Sequence, residues 1–257
     1  MLSEISERDF TGLRGPFESG RQSPGAIGVM LLISPLLQGL MYILIYFGAA
    51  KNSIFPYTEN LFWVHTVITG VLIVLSLIYG IPAIYNKAQK VKYLLSILVS
   101  QNLFGVYFYL MAIFYIGQNF NVSEFSLMTF TYATLAFGVL VIVLTSIRFY
   151  ILLKKGHYRS GSKKDKLRFK AESGVRSYLP IIIIVSVGFL FIIQYLVRVF
   201  GLAEMQTIFM MMISILLFYT MLFVLPEQLV LLYCKCRFDS FNYSKNGNLY
   251  PLGRKGA

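Results

Sequence analysis

The sequence predicts an all-α polytopic membrane protein: a bundle of six transmembrane helices with a short amphipathic helix on its cytoplasmic side. Three observations carry this. Of 257 residues, 57% are hydrophobic and only 13% charged, against about 45–50% and about 25% in soluble domains. The apolar residues gather into six runs, each long enough to cross about 30 Å of hydrocarbon at about 1.5 Å per residue. The cations fall almost wholly between alternate runs, as the positive-inside rule requires.

Before the first run lies a tail, residues 1–25, whose Glu4, Glu7, Asp9 and Glu18 do not suit the basic start of a signal peptide. Its Gly, Ser, Pro and charged residues read as a mobile cytoplasmic segment. The runs then follow at about Ala26–Ala49, Leu61–Tyr85, Tyr93–Ile116, Phe125–Leu153, Tyr178–Phe200 and Met205–Tyr233. With both termini cytoplasmic, 21 of the 23 Lys and Arg stand on one side, leaving only Lys51 and Arg198 for the other. That distribution explains the net charge of +12 without nucleic acid, and points to anionic inner-leaflet headgroups as what the cations meet.

Between the fourth and fifth runs, residues 154–177 form a basic cytoplasmic loop. Leu167, Ala171, Val175 and Tyr178 recur at four, four and three residues, one narrow apolar stripe among Lys, Arg and Glu. The stripe reads either as a helix at the headgroups or as a solvated loop. Lys163, Lys164, Lys166, Arg168, Lys170 and Arg176 would there dock lipid or a membrane or cytoplasmic protein partner. A second basic tail, residues 234–257, ends the chain.

Polar groups inside spans are where function is sought in a membrane protein. Glu227 lies seven residues before Cys234, about 10 Å inside the interface, and Arg148 six before Lys154. They either pair across the bundle or each reach the headgroups alone. Gln38, Ser100, Gln101, Asn102 and Gln194 are expected to hydrogen-bond between helices or to line a small polar cavity. Pro35, Pro82 and Pro226 are expected to kink the first, second and sixth spans, because proline lacks the amide hydrogen the helix needs.

Enzyme chemistry has little to stand on. GxSxG, P-loop, GxGxxG and HExxH patterns are missing, and Asp9, Asp165 and Asp239 all fall outside the runs. His65, at the start of the second run, and His157, in the loop, cannot together ligate a haem, and Cys234 and Cys236 are too few for a structural zinc site. No cofactor or metal is expected. In length, span number and termini the chain resembles the permease half of type-2 ABC exporters. It is similar in the same respects to small multi-span proteins encoded beside secretion systems and toxins, where the protein protects or assembles. The first likeness implies a transport subunit, whose conduit would be read from the polar residues Gln38, Asn102, Gln194 and Glu227. The second implies a non-enzymatic accessory, scaffold or immunity-type subunit, the reading the residues favour.

Overall fold

The computed structural model describes residues 5–81, 88–118, 121–163, 166–167, 203–244 and 246–253. Five helices there are long and apolar enough to cross a membrane: Pro24–Asn52, Thr58–Gly80, Gln89–Gly117, Glu124–Lys154 and Thr207–Arg237. They match the first, second, third, fourth and sixth expected runs within a few residues. The fifth, Tyr178–Phe200, lies outside the described residues, as does the amphipathic stripe beyond Leu167.

Helices are numbered in chain order. After α1 (Gly15–Glu18), α2 (Pro24–Tyr42) opens with Ser23, whose hydroxyl accepts from the Ala26 amide at 3.2 Å, and with Pro24 in the first turn, where its missing N–H is harmless. It continues into a π-helical stretch, Ile43–Ala49, and a 3-10 turn, Ala50–Asn52. α3 (Thr58–Gly80) stops where Ile81 turns extended (ψ 131°), the backbone that a residue before proline adopts. The expected kink at Pro82 is therefore replaced by a helix end at Gly80; Pro82 itself lies outside the described residues. α4 (Gln89–Ser100), a π-helical stretch Gln101–Val106 and α5 (Tyr107–Gly117) form one continuous span. α6 (Glu124–Lys154) is capped by Ser123, and α7 (Ala203–Arg237) carries Pro226 within it.

Among the described spans, the third is the most enclosed. Its most apolar window is 67% buried, against 11–28% for the other four. Those four turn residues such as Leu36, Phe47, Val67 and Leu144 outward, the surface that lipid would cover. Close approach is visible where α6 meets α7: a Cβ on Gly138 would lie 2.9 Å from Leu222 Cδ1. α6 and α7 run parallel, with Thr134 beside Tyr219 and Leu153 and Cys234 both in the core at the same end.

Beneath that end sits a folded cap. The tail that reads as mobile in sequence instead buries Phe10, Leu13 and Phe17 almost completely, because each finds an aromatic or aliphatic partner from the C-terminal segment or the helix ends. Phe17 meets Phe241 edge-on at 6.0 Å and Phe10 meets Phe238 at 5.8 Å. Arg14 donates to the Tyr250 carbonyl at 3.0 Å, and Tyr243 donates its hydroxyl to the Phe17 carbonyl at 2.7 Å. Gly12 bonds the Tyr158 carbonyl, and Arg159 pairs with Asp9 at 2.6 Å, drawing residues 157–162 into the same cap. Residues 5–20 and 238–253 thus occupy one end of the bundle.

Two cations expected at the interface are buried in this cap. Lys92 is 1% exposed and donates to the Pro24 carbonyl. Lys235 is 2% exposed, donates to the Phe241 carbonyl at 2.8 Å, and sits 4.7, 5.6 and 5.9 Å from the ring centroids of Phe17, Tyr93 and Tyr243. Such a ring cluster holds an ammonium by its negative faces. Cys234 is buried and Cys236 exposed, both as free thiols.

Candidate functional site

Two apolar clusters fill the bundle, one reaching the cap and one at the opposite end. The polar side chains of the spans lie between them. On α2 the buried face reads Ile27, Leu31, Ser34, Gln38, and on α3 it reads His65, Thr69, Leu72, Ser76. Both follow the four-three-four spacing of one helical face. Each face is apolar toward the cap on α2 and mixed on α3, so the two helices bring Gln38, Thr69 and His65 to one level.

Pro35 leaves the Leu31 carbonyl without its helical donor, and Ser34 supplies one, its hydroxyl donating at 2.9 Å. That repair holds α2 continuous one turn before Gln38. The third span brings the rest of the site by changing its winding. Within Gln101–Val106 the helix widens, and the Tyr107 amide reaches back five residues to the Asn102 carbonyl. Five-residue bonding sets Asn102 and Tyr107 over one another, both aimed at α2 and α3, which an α-helical turn would not do. The wide turns at Ile43–Ala49 do the same service for Tyr46.

Asn102 is the hub. Its side-chain oxygen lies 2.9 Å from His65 Nε2, and its amide nitrogen donates to Gln38 Oε1 at 3.2 Å and Thr69 Oγ1 at 3.3 Å. Tyr107 donates its hydroxyl to the Gln38 backbone carbonyl at 3.0 Å, with Thr69 Oγ1 at 3.4 Å, and its ring stands edge-on to His65 at 4.6 Å. On the other side of the imidazole, Tyr46 Oη is 2.9 Å from Nδ1 and 3.2 Å from the Leu61 carbonyl. Gln38 and Tyr107 are 0% exposed, and His65, Thr69 and Asn102 no more than 4%. The Gln38 amide nitrogen is buried without a partner.

The donor pattern assigns the imidazole's proton. Asn102 spends its NH2 on two oxygens, so its own oxygen accepts, and His65 Nε2 must carry the hydrogen. Nδ1 then accepts from Tyr46. The site is thus a buried polar layer joining three spans, satisfied except at the Gln38 amide nitrogen. Among the described residues no group of three His, Cys, Asp or Glu is placed to hold a metal ion.

The other expected site residues scatter. Ser100 donates to the Ile97 carbonyl and lines a cleft of about 190 Å³ with Arg21, Tyr93, Ser96 and Gln228. Gln101 turns the opposite way from Asn102, donating to the Met221 carbonyl at 3.1 Å and to Gln228 Oε1 at 3.0 Å, beside the bend expected at Pro226. Arg148 and Glu227 are brought to one cleft of about 310 Å³ between α6 and α7, where the Arg148 guanidinium lies 5.9 Å from the Phe223 ring centroid. Lys163 and Lys166 are exposed beyond α6. Gln194, Lys164, Arg168, Lys170 and Arg176 lie outside the described residues.

Sequence reasoning found Gln38 and Asn102 but missed His65, Thr69, Tyr46 and Tyr107. The signal for two of them was present: His65, Thr69 and Ser76 at four- and seven-residue steps are a polar stripe along one face of an otherwise apolar run. Comparison with protein families, with characterised proteins and with solved structures finds no match to this chain.

Proposed function

We propose that this chain is a non-enzymatic integral protein of the cell membrane, with six spans and both termini cytoplasmic, serving as an accessory, scaffold or immunity-type subunit of a membrane or secretion-associated complex. One observation carries the reading. Asn102, the residue a mid-membrane conduit would most need to present, is 4% exposed and has both ends of its amide bonded to neighbouring helices. Polar groups used in this way fix a helix arrangement, and Asn102 has no free donor or acceptor turned toward a passing solute. The shared cap at the two termini and the parallel course of α6 and α7 accord with an even number of crossings. Anionic headgroups and a protein partner are the ligands of the basic face that includes Lys163 and Lys166.

The competing reading, a permease subunit, draws support from the two clefts on the cap-side half of the bundle. Affinity isolation after extraction in mild detergent separates the two. A secretion component or toxin bound in stoichiometric ratio is expected; an ATPase in that ratio overturns the proposal. Orientation has its own test, a reporter enzyme fused after Ala257, which should be active only when inside the cell.

A further inference from the structure

The cleft between α6 and α7 carries opposite charges at the depth where headgroups lie. Thr145 and Arg148 of α6, Tyr158 beyond it, and Phe223, Pro226 and Glu227 of α7 enclose about 310 Å³, at the lower end of the about 300–1,000 Å³ typical of small-molecule sites. We propose that this cleft binds the headgroup of an amino phospholipid of the phosphatidylethanolamine type, with the phosphate on Arg148 and the ammonium on Glu227. Arg148 lies six residues from Lys154, hence about 9 Å from the end of α6, which is phosphate depth for a long side chain. A guanidinium matches phosphate oxygens in a two-pronged bond, and basic pockets between spans are the usual seats of headgroups. Phe223, one turn before Glu227 on the same face, lies under the Arg148 guanidinium and keeps it at the cleft mouth.

Lipid, rather than a free phosphate compound, follows from the walls. Phe223 and Val224 of α7 line the cleft and are themselves exposed, an apolar wall along which acyl chains can lie. The headgroup follows from Glu227. A choline group has no N–H to give it, a glycerol headgroup brings no cation, and a serine headgroup adds a second carboxylate beside it. A carboxylate accepts about four hydrogen bonds, so Glu227 takes an ammonium in addition to its contacts within the protein. The inference is independent of which partner the subunit serves and needs only that the chain lie in a bilayer; a chain that is not a membrane protein would fail to enter nanodiscs at all.

The test is native mass spectrometry of the full chain released from nanodiscs of equal phosphatidylethanolamine, phosphatidylglycerol and phosphatidylcholine. The wild type should retain the ethanolamine lipid about tenfold over the choline lipid. Arg148→Gln should lose retained phospholipid of every headgroup about tenfold, whereas Glu227→Gln should keep phospholipid and lose the preference. Thr145→Trp, which fills the cleft and leaves both charges, should abolish retention. Arg148→Glu with Glu227→Arg would preserve an internal ion pair and should still lose the lipid. Equal retention of ethanolamine and choline lipids by the wild type overturns the proposal, as does an ethanolamine preference that survives Glu227→Gln or retention that survives Thr145→Trp.

Discussion

Replacing Asn102 by leucine removes three interhelical hydrogen bonds at once, to His65, Gln38 and Thr69. At about 0.6 kcal/mol each within a membrane, those come to about 2 kcal/mol. Leucine also strands the His65 Nε2–H and the Gln38 side-chain oxygen in a layer closed to water, and each orphaned buried group adds about 1–3 kcal/mol. Taking the low end, because an unfolded chain in lipid also finds partners, the expected loss is about 4 kcal/mol. Unfolding free energy in bicelles by steric trapping measures it, with Ser126→Ala on the exposed start of α6 as the control. The diagnostic is the double variant. His65→Phe keeps an aromatic ring beside Tyr107 and removes the stranded N–H, while Tyr46 retains the Leu61 carbonyl. Asn102→Leu with His65→Phe should therefore be less destabilised than the sum of the single changes, by about 1 kcal/mol or more. Additivity within about 0.5 kcal/mol, or a loss below about 1 kcal/mol for Asn102→Leu alone, would falsify the hub role of Asn102.

Three further outcomes are expected. Ser34→Ala should cost about 1 kcal/mol by stranding the Leu31 carbonyl, but nothing in a Pro35→Ala background, where the restored amide supplies the missing donor; the same unfolding assay reads both. Lys235→Met removes the ammonium from its ring cluster and its bond to Phe241, so limited trypsin digestion should cut at Arg14 and Arg21 at least several-fold faster than in the wild type. Burial pushes the Asp9 carboxyl upward, but bonds from Ser6 and the Arg159 guanidinium outweigh it and leave Asp9 below its ordinary value of 3.8. A lowered folded value means the tether contributes fully above 3.8 and fades as pH falls through the folded value. Exchange protection of the Gly12 amide should fall in that acid range, and Asp9→Asn should show the low-pH level at every pH.

The spans were legible because lipid demands long apolar runs, and run length is written directly in composition. The central polar layer was only half legible. Asn102 and Gln38 stand out as amides at membrane depth, yet their meeting depends on π-turns that no proline or glycine marks, and a one-residue change of winding re-aims every side chain that follows. The cap was misread for a different reason. Phe10, Leu13 and Phe17 sit among charges that look like a solvated tail, and their partners, Phe238, Phe241 and Tyr243, lie at the other end of the chain. Local pattern cannot reveal burial that depends on so distant a segment.

That distance has a consequence for biosynthesis. Phe17 leaves the ribosome 226 residues ahead of the tyrosine that closes over it, so throughout insertion the first-made segment lacks its C-terminal partners. A polypeptide stopped short of its last helix would leave Phe10 and Phe17 without Phe238 and Phe241 over them, a mark by which proteases can tell an unfinished copy from a completed one.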